Sequence, residues 1–109
     1  DGGDTALMIA SYHGHLDIVQ ELVKVEGINV NEKNDGGDTA LMIASYHGHL
    51  DIVQELLKVE GINVNEKSNN GSTALMYASL HGHLQVVQEL VKMEGIDVND
   101  TNNRRQLRK

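Results

Sequence analysis

A chain that repeats itself at a fixed interval has few folds open to it. Thr5, Thr39 and Thr73 stand one constant interval apart, and so do Gly14, Gly48 and Gly82, and Gly27, Gly61 and Gly95. The 109 residues therefore divide into units 1–34, 35–68 and 69–102. The remaining 103–109 read as a basic C-terminal tail or as the truncated start of a next loop. Units 1 and 2 differ only at Val23 against Leu57 and at Asn34 against Ser68. Unit 3 departs further, with Tyr77 for Ile43, Leu80 for Tyr46 and Ser72 for Asp38 among its changes. A period of this length without drift predicts a solenoid of stacked supersecondary modules. One module cannot bury its apolar face alone, and about three are needed for a stable stack.

The signals within a unit agree with one another. In unit 2, Thr39 is a good helix N-cap, and Ala40-Leu41-Met42-Ile43-Ala44 continues as a short apolar helix. Gly48 is placed to end it in the left-handed conformation. A second helix runs from about His49 or Leu50 to Lys58. Its residues Leu50, Val53, Leu56 and Leu57 recur at helical spacing, and Ile52 widens the stripe. Asp51, Gln54, Glu55 and Lys58 form its wet face. Ile62-Asn63-Val64-Asn65 then alternates toward a tip where Asp35-Gly36 and Asn70-Gly71 signal tight turns. The expectation is helix, turn, helix and an extended hairpin-like loop, three times over. Helices this short do not persist alone, so stacking must hold them.

Composition narrows the function. Three tyrosines are the only aromatics, with no Phe or Trp, which suits a thin layered structure better than one large core. Net charge is −7, and the four cations of 103–109 (Arg104, Arg105, Arg108 and Lys109) conceal a still more acidic body. An acidic body argues against nucleic acid, which needs clustered Lys and Arg. There is no cysteine, hence no disulfide and no thiolate metal site. No apolar run is long enough to span a membrane. Both absences fit an intracellular, cytoplasmic protein.

Residues 1–102 resemble the ankyrin repeat family. In unit 2, Gly37, Thr39, Leu41, Ala44, Gly48, His49, Leu50, Ile52, Val53, Leu56, Leu57, Gly61, Val64 and Asn65 match the family pattern in order. The resemblance implies an all-α ankyrin-repeat solenoid with a β-hairpin loop in each repeat. There are departures. The family's T-P-L-H becomes T-A-L-M, so Ala40 replaces the helix-starting proline and Met42 replaces a histidine that would bond loop to helix. The usual period of 33 is one residue longer here. Unit 1 is an interior-type repeat, which predicts end-to-end self-association through uncapped terminal repeats. Near-identity of units 1 and 2, with no proline, favours recent duplication or assembly from one template repeat.

All six histidines fall in three His-Gly-His motifs. A metal reading needs ligand atoms converging on one ion with bonds of about 2.1 Å. His47 and His49 flank Gly48 rather than sharing one helix face at i, i+4. Equivalent helices of neighbouring repeats should lie roughly 8–10 Å apart, which makes a ladder of His13, His47 and His81 hard to close around one ion. A histidine-based metal binder is thus the weakest of three readings. The resemblance implies that His15, His49 and His83 bond turn backbone, while His13, His47 and His81 face partners. The acidic "DGGD" lacks the ligand run of a calcium loop and would repel phosphate. Ser45, His47 and Asp51 have no oxyanion site, so no enzyme is expected. No cofactor is implied.

What remains is a surface. The resemblance implies binding through loop tips and the exposed face of each unit's first helix. Those positions are Asp4, Tyr12, His13 and Lys33 in unit 1, with Asp1 also at the tip. In unit 2 they are Asp35, Asp38, Tyr46, His47 and Lys67, and in unit 3 Asn69, Ser72, Leu80 and His81. Tyr12, Tyr46 and Leu80 would form a ladder of large contact area at low rotamer cost. Acids along the rim would steer a basic protein partner. The alternative is a template-built array with no dedicated ligand.

Overall fold

The computed structural model describes residues 2–102. Asp1 and the basic stretch 103–109 lie outside the described residues. Six helices follow in pairs: α1 (Ala6–His13) with α2 (Leu16–Val23), α3 (Ala40–His47) with α4 (Leu50–Leu57), and α5 (Ala74–Leu80) with α6 (Leu84–Val91). α1, α3 and α5 pack side by side as an inner row, and α2, α4 and α6 form an outer row. The whole measures 45 × 30 × 23 Å, an elongated two-layer stack.

Each inner helix starts where a threonine supplies one of its free first-turn amides with an acceptor. Thr5 Oγ1 accepts from Met8 N at 3.2 Å, and Thr39 and Thr73 repeat this on Met42 and Met76 at 3.3 Å. In unit 1 the methionine reciprocates: Thr5 N donates to Met8 Sδ at 3.4 Å. Sulfur there serves as a weak acceptor. α1 and α3 end at Gly14 and Gly48, both left-handed, with φ of 75° and 72°.

The core lies between the two rows. Leu41, Met42 and Ala44 of α3 meet Ile52, Val53 and Leu56 of α4, all buried. Stacking, not local sequence, decides who is buried. Ile18 is 46% exposed, whereas Ile52, in an identical stretch of the next unit, is fully covered. Apolar surface also remains at the other end of the stack, on Leu84 and Val98.

Hydrogen bonds at three places are among the contacts that join consecutive units. At the tips, Asp35 N donates to Gly2 O at 2.7 Å and Asn69 N to Gly36 O at 3.0 Å. Along the outer loops, Asn31 Nδ2 donates to Gly61 O at 2.8 Å, and its Oδ1 accepts from Asn63 N at 2.9 Å. Asn65 does the same to Gly95 and Asp97. At the helix turns, His49 Nε2 donates to Tyr12 O at 3.1 Å and His83 Nε2 to Tyr46 O at 3.0 Å. The second histidine of His-Gly-His therefore bonds backbone in the preceding unit, not in its own turn.

The β-hairpin expectation needs correction. Among the described residues there is no strand. The loop tips close on side chains instead: Asn34 Oδ1 accepts from Gly36 N and Asp38 N at 3.0 and 2.9 Å. Two backbone bonds, Asn34 N to Asp38 O at 3.0 Å and Gly37 N to Asn34 O at 2.9 Å, complete the turn. A side chain that satisfies two amides leaves little for a ladder to do.

Two buried hydroxyls, Ser11 Oγ and Ser45 Oγ, have no hydrogen-bond partner. Ser45→Ala removes the desolvated hydroxyl and raises helix propensity, so it is expected to stabilise by about 1 kcal/mol. Urea denaturation checks this, and a destabilised variant would show that the hydroxyl is satisfied in solution.

Candidate functional site

The inner row and the loop tips bring most of the expected contact residues to one face. Tyr12, His13, Tyr46, His47, Leu80 and His81 are all exposed, as are Asp4, Asp35 and Asn69. Three of the expected residues have other duties. Lys33 Nζ reaches Glu66 Oε1 at 2.9 Å and Lys67 O at 3.0 Å, both in the next unit. Lys67 repeats the contact on Asp100 Oδ1 at 2.8 Å and Thr101 O at 3.2 Å. That bond holds the Asp100 carboxyl below the usual carboxylate range. These lysines fasten units together. Ser72 differs from the exposed tip residues. It is 6% exposed, and its amide donates to Ser68 Oγ and Asn70 Oδ1 at 3.3 and 3.1 Å, which tucks it beneath the tip.

The rings of this face form one network. Tyr12 meets His47 edge-on with centroids 4.6 Å apart, and Tyr46 meets His81 at 4.1 Å. Tyr12 and Tyr46 also touch the histidines that follow them, His13 and His47, at 4.9 Å. Each first histidine then stacks on the second of its motif, at 5.9 to 6.2 Å. Tyr77 joins through Tyr46 at 5.6 Å, edge-on. Every tyrosine and histidine of the chain thus belongs to one connected array. The repeat dictates this: rings one period apart land on adjacent inner helices at the same height. Burial, and then the charges of His49, His81 and His83, hold the His47 imidazole below its ordinary pKa.

Between the tips and the rings lies a concavity of about 410 Å³. Met42 and Ile43 line it together with Tyr12, Tyr46, His47 and Tyr77, and Asp4, Asn34 and Asp38 stand at its polar side. Asn34 Nδ2 donates to Asp4 Oδ1 at 2.8 Å. In the next unit Ser68 replaces that asparagine, and Tyr77 takes over its task. Its hydroxyl lies 3.3 Å from Asp38 Oδ1 and 3.0 Å from Ser68 Oγ. Burial raises the pKa of Asp38; the Tyr77 hydrogen bond opposes this, and the nearby Asp4 charge adds to it.

Sequence reasoning passed over Tyr77 as a site residue. A signal was present. Unit 3 swaps Ile-x-x-Tyr for Tyr-x-x-Leu, moving the aromatic one helical turn along the same face. That shift brings a tyrosine hydroxyl beside Asp38 and Ser68.

Among the described residues no three His, Asp or Glu side chains are grouped to hold a metal ion. None of the described helices is long and apolar enough to cross a membrane. A family model of ankyrin repeats in three copies matches residues 7–102. No curated protein is significantly similar to the chain.

Proposed function

Because the chain belongs to the ankyrin repeat family, whose repeats generally serve as protein–protein interaction modules rather than enzymes, we propose that it binds a partner protein through the inner face. The contact surface is the loop tips together with the exposed side of α1, α3 and α5. One observation carries this reading: Tyr12 and Tyr46 stay 53% and 41% exposed although they sit in a packed ring network. Large rings held rigid and left in solvent lose little entropy when a partner covers them. The acids on the same face favour a partner with a basic surface.

Affinity capture with partner identification, repeated with Tyr46→Ala, tests the proposal. Removing a central ring should weaken binding by about 2 kcal/mol, roughly thirtyfold. Gln54→Ala on the exposed side of α4 should leave it unchanged. Equal recovery with Tyr46→Ala would sink the inner-face reading. A second reading, a template-built array with no dedicated ligand, draws support from the near-identity of units 1 and 2. It predicts no partner whose recovery depends on Tyr46.

A further inference from the structure

We propose that the concavity between Asp4, Asp38 and the three tyrosines is a pocket for one arginine side chain of the partner. The proposal rests on the inner-face reading and narrows it to a single anchoring contact.

The charge balance of the pocket is one-sided. Among the described residues, Asp4 and Asp38 both line it and no lysine or arginine does. The nearest lysines by sequence are committed elsewhere, Lys33 to Glu66 and Lys67 to Asp100. The neutral donors supplied from within are Asn34 to Asp4 and Tyr77 to Asp38, one to each carboxylate. An ionised carboxylate accepts at about four lone-pair positions, so each retains capacity for a further donor. Asp38 is half-buried and feels Asp4, and both effects disfavour its charge until a cation arrives.

The walls select among cations. Tyr12, Tyr46 and Tyr77 line the space, and Met42 and Ile43 give it an apolar side. A cation near aromatic rings is attracted by their quadrupoles. A guanidinium adds what an ammonium lacks: it is planar, stacks on rings and presents a fork of donors to carboxylates. Its apolar stem suits the Met42 and Ile43 side. The volume of about 410 Å³ holds such a side chain with room for its backbone at the rim.

The position is also specific to one place in the array. Unit 3 carries Ser72 where the other units carry aspartate, and Tyr77 where they carry isoleucine. The pocket thus draws on all three units: Asp4 comes from the first, Asp38 from the second and the third tyrosine, Tyr77, from the last.

The probe is Nα-acetyl-arginine methylamide, titrated into the 15N-labelled chain, with the lysine and citrulline analogues in parallel. The expected result is saturable shifts centred on Tyr12, Asp38, Tyr46 and Tyr77, with lysine about fivefold weaker and citrulline without saturation. Asp4→Asn with Asp38→Asn should abolish saturation. Ser72 already places a neutral residue at the position equivalent to Asp38, so the fold is expected to hold, and unchanged amide shifts in α4 and α6 verify it. Equal response to citrulline, shifts spread over outer acids such as Asp17 and Glu21, or saturation that survives the double substitution would each overturn the pocket. A partner whose capture depends on Tyr46, without arginine saturation, removes the pocket and leaves the inner face standing. Arginine saturation without any captured partner leaves a guanidinium site standing and overturns its assignment to a partner protein.

Discussion

Leu56→Ala is expected to lower the unfolding free energy by about 2–5 kcal/mol, because the leucine is fully buried between the two helix rows. For a domain whose whole stability is of order 5–15 kcal/mol, that is a large fraction. The control lies in the same molecule. Leu22 occupies the equivalent position in an identical seven-residue stretch, yet is only partly buried. Helix propensity and local contacts are the same for both, so the difference between the two substitutions measures what a neighbouring unit contributes. Leu22→Ala should cost clearly less, as read by chemical denaturation. Equal costs would mean that each unit stabilises its own helices, against the stacking account of this fold.

Gly48→Ala is expected to cost about 2–3 kcal/mol, from two separable causes. The first is backbone. Gly48 has φ of 72°, where a Cβ is strained by about 1–2 kcal/mol. The second is the neighbouring unit. A Cβ on Gly48 would stand 2.6 Å from His83 Cε1 and Nδ1, so the ring must move. Moving it breaks the 3.0 Å bond from His83 Nε2 to Tyr46 O. Gly82 isolates the first cause. Its φ is also 72°, but an added Cβ meets nothing within 4 Å. Gly82→Ala should therefore cost only the backbone strain. In a His83→Ala background, Gly48→Ala should fall to the Gly82 value, a cycle that reads the coupling directly. If the two glycine substitutions cost the same in the unaltered chain, the histidine does not hold the turn.

The helix pairs were readable because their signals are local. Thr39, Gly48 and the spacing of Leu50, Val53 and Leu56 each act within a few residues, and the structure places them as caps, stop and core. Contacts between units were harder to read, since they join residues a full period apart. Lys33 looked like a solvent-facing cation on a loop. Its carboxylate partner, Glu66, becomes adjacent only when units stack. Ser72 looked like a tip residue because the resemblance sets it at the place of Asp4 and Asp38, which are less buried. Its burial follows from the Ser68 and Asn70 side chains folding over it, which two substitutions special to that tip produce. The His-Gly-His motif lay between these cases. Its glycine was legible as a helix end, but the reason it must also be bare is the next unit's histidine lying over it. Tyr77 shows that in a repetitive chain the informative residues are those that break the repetition.

The contacts that join units have one more consequence, for growth. Lys33 grips Lys67 O as Lys67 grips Thr101 O, and Asn31 binds unit 2 as Asn65 binds unit 3. Each unit thus carries half of the fastening for the neighbour on either side. A copy of residues 35–68 inserted between units 2 and 3 would find donors and acceptors already waiting on both flanks. Recombination within such a gene can lengthen the product by a whole period and keep these lysine and asparagine contacts, so length is the property of this architecture most free to vary.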